Sequence, residues 1–151
     1  MLPFDYVRAN TVAEALAALG GDDETAVLAG GTDLVLRLKR GQRTPRVVVD
    51  IKPIEALGSL AVTDGGLSLG AGVTMARVWT HPGLPAACGA LREGAGLVGS
   101  QQIRNRATVV GNVCNATPCA DTVPALLALG AAARIARAGA ERRVPLAAFF
   151  V

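Results

Sequence analysis

The stretch Thr108-Val109-Val110-Gly111-Asn112-Val113-Cys114-Asn115-Ala116-Thr117-Pro118-Cys119-Ala120-Asp121 decides how this chain is read. It combines small residues, short polar side chains and one carboxylate, and it runs directly into the apolar segment Val123 to Leu129. Small residues let a ligand approach the backbone closely. Asn112, Asn115 and Thr117 offer hydrogen-bonding groups without bulk. Asp121 stands at the mouth of an expected helix, where exposed N–H groups favour an acidic side chain. Taken alone, the stretch reads equally well as an ordinary loop and N-cap, because Gly, Asn and Thr are common loop residues.

A second stretch of the same chemical type lies upstream. Thr25 to Ala29 is a short apolar run that reads as a buried strand. Gly30-Gly31-Thr32-Asp33 follows, then Leu34 to Arg40 before Gly41, giving strand, glycine turn and helix, with Thr32 or Asp33 as N-cap. Around it, Thr11-Val12-Ala13-Glu14 has the form of a capping box. Val12, Ala15, Leu16 and Leu19 then share one helical face, ended by Gly20 and Gly21. Arg46 to Ile51 is β-branched and reads as a strand, with a short edge segment at Phe4 to Tyr6. Residues 1–55 therefore read as a small α/β lobe.

Residues 56–151 read as a second α+β lobe. Lys52 to Leu57 is a connector, since Pro53 excludes a continuing central strand. Leu60 to Thr63 and Leu67 to Leu69 flank Asp64-Gly65-Gly66, a hairpin signal. Thr74 to Trp79 forms a short helix stopped near His81-Pro82-Gly83, with Met75 and Trp79 placed in the core. Leu84 to Val98 has helical length, weakened by Gly89, Gly94 and Gly96. Ser100 to Arg106 reads as a polar connector. Val123 to Leu129 is a helix with Pro124 in its first turn, and Ala131 to Arg137 a strand before the turn Ala138-Gly139-Ala140. The last residues, Phe149-Phe150-Val151, are apolar, so the chain is expected to stop inside a larger fold.

Composition narrows the function. With 151 residues and 51% hydrophobic content, a packed core is expected and disorder is not. Aromatic residues at 3% speak against base-stacking surfaces for nucleic acid. The net charge of +3 comes from arginines spread along the chain, which suits a solvated surface with a local anion site. No apolar run has the length of a membrane span. Three cysteines point to a reducing, cytoplasmic setting rather than a disulfide scaffold. Cys114 and Cys119 are spaced C-x4-C, and Cys88 and His81 match no metal-binding run, so small buried thiols and no metal site are expected. His81 is read as a surface-loop residue, and no catalytic residue is assigned.

Two glycine-containing turns, each leading into a helix, suit an anion held between two lobes. Neither is G-x-G-x-x-G or G-x-x-x-x-G-K-[ST]. With no nucleophile–base array in view, a bound cofactor would have to carry the chemistry.

At these turns the sequence resembles the FAD-binding (medium) subunit of molybdenum hydroxylases, the group that includes xanthine dehydrogenase and aerobic carbon monoxide dehydrogenase. Val27-Leu28-Ala29-Gly30-Gly31-Thr32-Asp33-Leu34 is similar to the family's A-G-G-T-D-L. Gln102-Ile103-Arg104-Asn105-Arg106-Ala107-Thr108-Val109-Val110-Gly111-Asn112 is similar to Q-I-R-N-R-G-T-I-G-G-N. Asn115-Ala116-Thr117-Pro118-Cys119-Ala120-Asp121 is similar to N-A-S-P-A-G-D. Together with Val144-Pro145-Leu146 and Phe149-Phe150, the matches follow the family's order along nearly the whole chain.

The resemblance implies a two-lobed α+β FAD-binding fold of the vanillyl-alcohol oxidase (PCMH-type) kind, lacking the family's further C-terminal domain. It implies that Ala29 to Leu34 and Thr108 to Asn112 wrap the FAD diphosphate through backbone N–H groups. Asp121 would accept from cofactor hydroxyls, Val98 to Ser100 would lie near the flavin, and Val27, Leu28 and Asn115 complete the cofactor set. The implied partners are a molybdenum-cofactor large subunit and a small subunit with two [2Fe–2S] clusters. Electrons would leave this FAD for NAD or a quinone. The alternatives are a non-catalytic interaction module that no longer holds FAD, and a stand-alone FAD oxidoreductase of the same fold. Val110 replaces the family's first glycine; if that position needs positive φ, its Cβ costs roughly 1–3 kcal/mol. Reduced FAD affinity is the expectation.

Overall fold

A computed structural model gives the arrangement of residues 1–20, 24–63 and 65–150. The expected helix stop at Gly21, the turn residue Asp64 and the terminal Val151 lie outside these described residues.

The N-terminal part is built on a three-stranded parallel sheet. Its strands are β1 (Asp5–Arg8), β2 (Thr25–Leu28) and β3 (Val47–Asp50). The order is β1-β3-β2, so the β-branched β3 is central, and Val48, Val49 and Asp50 are all buried. β2 is an edge strand, which corrects its reading as a buried one. Ala26 is buried but Val27 is 46% exposed.

Helix α1 (Val12–Ala18) starts at Thr11, whose Oγ1 accepts from Glu14 N at 3.1 Å. Glu14 closes the box one residue further out than expected, accepting from the Asn10 N–H at 2.8 Å. Its apolar side packs on the sheet, where Ala9, Ala15, Val49, Ile51 and Ile54 form one buried cluster with Leu57 and Ala71 against it. Helix α2 (Leu34–Lys39) follows β2 and ends at Gly41 with φ +68°. Asp33 is its N-cap by position, but no side chain caps it.

After a 3-10 turn at Glu55–Gly58, β4 (Leu60–Thr63) pairs antiparallel with β5 (Gly66–Leu69). Four helices come next: α3 (Met75–Thr80), α4 (Gly89–Leu97), α5 (Gln101–Arg104) and α6 (Val109–Asn115). Then α7 (Val123–Ala128) leads to the hairpin of β6 (Ala132–Arg137) and β7 (Ala140–Pro145). A second buried cluster runs through these helices and includes Val73, Met75, Val78, Leu91, Ala95, Val109, Val113, Leu126 and Leu146.

Several expectations are corrected here. Ser100 to Arg106 is not a plain connector: Ser100 caps α5 through Oγ, which accepts from Ile103 N at 3.3 Å. Residues 109–115 are helical rather than loop, capped by Thr108. Glu141 to Pro145, which has no element assigned from the sequence, is strand because it pairs with β6, helped by Arg134 gripping Glu141 at 2.9 and 3.0 Å. Met75 is buried, but Trp79 is 39% exposed and is no core residue. Two of the glycines of α4 are packing positions: a Cβ on Gly94 would lie 2.6 Å from the Asp121 carbonyl oxygen, and one on Gly96 would lie 2.9 Å from Trp79 Nε1, whereas one on Gly89 would meet nothing within 4 Å. The cysteines are not uniformly buried, since Cys114 and Cys119 are exposed and only Cys88 is buried. His81 is half-buried at the end of α3, and its carbonyl accepts from Arg92 Nη2 at 2.9 Å.

Candidate functional site

The first turn leaves β2 at Leu28 and enters α2 at Leu34. Leu28 to Thr32 and Leu34 are half-buried, while Val27 and Asp33 are exposed. Gly31 has φ +79°, a backbone shape that side chains disfavour. The backbone N–H groups of Gly30, Gly31, Thr32, Asp33 and Leu34 have no backbone acceptor among the described residues. They lead into the start of α2, where the peptide dipoles add partial positive charge.

The second stretch also presents a helix start. Thr108 is buried, and its Oγ1 accepts from Gly111 N at 3.0 Å. Val109 donates to the Val73 carbonyl, whereas Val110 N has no backbone acceptor among the described residues. Val110 lies in α6 without positive φ, so the strain expected of its Cβ does not arise. Asn112 accepts on Oδ1 from the Thr122 hydroxyl at 2.7 Å. Ala116, with φ +51°, ends α6 in the left-handed region. Asp121 is exposed, and the position before α7 is taken by Thr122, so Asp121 is not that helix's cap.

The fold brings the two stretches into contact. A Cβ on Gly30 would fall 2.2 Å from the Arg106 carbonyl oxygen and 2.9 Å from Ala107 Cα. One helix turn further on, Arg37 Nη2 donates to Asn115 Oδ1. Thr74 and Thr108, the N-caps of α3 and α6, form an antiparallel bridge that fixes the second stretch from its other side. Val98 stands at the end of α4, half-buried, and is tied to α5 through Arg104.

A cleft of about 420 Å³, missed in the sequence, opens at the carboxyl ends of β1 and β3 between Tyr6, Arg8, Asp50, Lys52, Pro53 and Arg106. Alternation puts Tyr6 and Arg8 on one face of β1, and Arg8 is in register with Asp50. Burial pushes the Asp50 carboxyl up. The hydrogen bonds from the Lys52 ammonium, the Tyr6 hydroxyl and the Lys52 N–H outweigh it, so the carboxyl is held below its ordinary value. The Lys52 ammonium is 2.6 Å away. The bond to Asp50 in turn raises the Tyr6 phenol.

Among the described residues, no group of three or more His, Cys, Asp or Glu side chains could hold a metal. Desolvation pushes the Cys114 thiol above its ordinary value although the residue as a whole is exposed, which disfavours a reactive thiolate. No helix among the described residues is long and apolar enough to cross a membrane.

A pair of helix-leading turns, pressed together, with unpaired N–H groups along the first and at Val110 in the second, fits a ligand with a diphosphate, and the fold belongs to the two-lobed α+β flavin-binding class. The profile of the family described as FAD binding domain in molybdopterin dehydrogenase matches residues 2–151, and the chain belongs to that family, whose cofactor is FAD. It is 33% identical over 152 aligned residues to the nicotinate dehydrogenase FAD-subunit of Eubacterium barkeri, covering 99% of this chain and 51% of that one. The glyceraldehyde dehydrogenase medium chain of Sulfolobus acidocaldarius is 31% identical over 147 residues, 97% of this chain and 52% of its own. Among solved structures, carbon monoxide dehydrogenase from Hydrogenophaga pseudoflava superposes with a TM-score of 0.93 at 28% identity, covering 100% of this chain and 54% of that chain. The chain thus spans about half the length of the relatives it matches.

Proposed function

We propose that this chain is the FAD-holding part of an electron-transfer subunit in a cytoplasmic molybdenum hydroxylase. Its partners would be a large subunit with the molybdenum cofactor and a small subunit with [2Fe–2S] clusters. The observation that carries this reading is the closure of Gly30 on Arg106 and Ala107, which sets the free N–H groups of the first turn against the start of the second stretch, where Val110 N is also free.

Ala29 to Leu34 and Thr108 to Asn112 form the diphosphate cradle, with the free N–H groups of Gly30 to Leu34 and of Val110 as its donors and the first run supported by Val27 and Leu28. The exposed Asp121 accepts from hydroxyls of the cofactor. Asn115 braces the second stretch through Arg37, and Val98 lies beside the flavin ring. The cofactor spans a lobe of residues 1–55 and a lobe of residues 56–151. Bound there, FAD supplies a carrier that takes electrons from iron–sulfur clusters and delivers them to an acceptor such as NAD or a quinone. The chain's own part is to bind and orient.

The test is the visible spectrum of the purified chain after FAD is added and the excess removed. A retained flavin spectrum supports the reading. A colourless protein, with its fold intact by circular dichroism, overturns it for this chain.

A further inference from the structure

Helix α4 ends at Val98 without a backbone cap, unlike most of its neighbours, and the chain then turns sharply at Gly99, where φ is +48°. Helix ends leave carbonyl groups in need of donors. Here the donor comes from the next helix. Arg104 Nη1 reaches the carbonyl oxygens of Val98 at 3.3 Å and Gly99 at 2.7 Å, and Nη2 reaches Gln101 Oε1 at 3.4 Å. The guanidinium also stacks on Trp79, 4.9 Å from the ring centroid. Trp79 in turn lies against Gly96. Arg104 Nε is buried with no partner among the described residues, so the group is embedded rather than waving in solvent.

We infer that Arg104 is a positioning residue that sets the Val98–Gly99 corner for the flavin. The inference rests on the FAD reading above, which puts Val98 beside the ring. The physical basis is the planar fork. It can hold two adjacent carbonyls and stack on an aromatic face at the same time, which an ammonium cannot do. The corner is otherwise weakly held, since its glycine is unrestrained by a side chain.

The experiment compares the native 151-residue chain with Arg104→Gln, Arg104→Lys and Arg92→Gln, using FAD as the probe. Arg92 is the control, because it makes a similar bond from α4 to the His81 carbonyl at the end of α3, away from the corner. Arg104→Gln is expected to weaken FAD binding by about tenfold, through loss of charge-assisted bonds to the corner. Arg104→Lys should fall between, and Arg92→Gln should stay at the native affinity. The visible band of the bound flavin should change shape in the Arg104 variants alone. Without FAD, amide hydrogen exchange at residues 98–100 should quicken in Arg104→Gln. Native affinity and an unchanged flavin band in Arg104→Gln would overturn the proposal while leaving FAD binding standing. If the native chain takes up no FAD, the underlying reading falls and the proposal with it. The exchange measurement then still reports whether the clamp exists.

Discussion

The hydroxyl of Thr122 donates to Oδ1 of Asn112 at 2.7 Å, and Thr122 is fully buried. The bond ties α6 to the start of α7 and fixes which way the Asn112 amide points. With Oδ1 engaged, its NH2 group is left for other partners. Thr122→Val keeps the shape and removes the donor, leaving a half-buried acceptor unpaired. The expected loss is about 1–2 kcal/mol, read as a lower urea midpoint at unchanged slope. A native midpoint would mean that the bond contributes nothing net.

Gly30 and Gly31 make different demands. At Gly30 an added Cβ meets backbone at 2.2 Å, and backbone cannot swing aside. At Gly31 the nearest atom is Leu28 Cδ1, at 2.8 Å on a flexible side chain, and the obstacle is the positive φ. Gly31→Ala should cost about 1 kcal/mol. Gly30→Ala should cost more, about 2–3 kcal/mol, because the contact between the two stretches must open. Thermal melts of the two variants give the order directly; a Gly30→Ala chain as stable as the native one would show that the contact yields freely.

Asp50 makes stability sensitive to acid. Its carboxyl is held below the ordinary value in the folded chain, so the unfolded chain takes up the proton first as pH falls. The stabilisation is complete above the ordinary carboxylate value of about 4 and is lost as pH drops through the lower folded value. The melting temperature should therefore decline below about pH 4, and the decline should be shallower in Asp50→Asn. Parallel curves for the two proteins would remove Asp50 from the linkage.

Asp121 offers a cleaner functional test. Its side chain is exposed, so its loss should leave the melting temperature unchanged. Asp121→Ala should weaken FAD binding by about tenfold if the carboxylate accepts from cofactor hydroxyls. Equal affinities in a flavin titration would withdraw that assignment.

What could be read from the sequence was local. Thr11 and Glu14 announce α1 because both partners of the cap lie within one turn. The β-branched run around Val47 to Val49 announces a strand, and Gly41 marks the end of α2. The turns at Gly30 and Thr108 were equally visible, as was the likeness of chemistry between them. What escaped depends on neighbours far along the chain. Gly111, Asn112 and Asn115 are poor helix formers, and α6 exists because Thr108 caps it and Thr122 and Arg37 hold its side chains. The run Glu141 to Arg143 carries no apolar alternation, and only pairing with β6 makes it a strand. The closeness of Gly30 to Arg106, and the cleft around Asp50, have no local signature at all.

Arg37 and Asn115 meet although they stand 78 positions apart. A chain emerging from the ribosome can complete its parallel sheet soon after Asp50 appears. It has no second wall for its first turn until α6 has also emerged and packed. Long-range closures of this kind come late, because the intervening chain must be ordered first. The completion of the proposed flavin surface is thus timed by synthesis: a segment made early waits, half-finished, for one made much later.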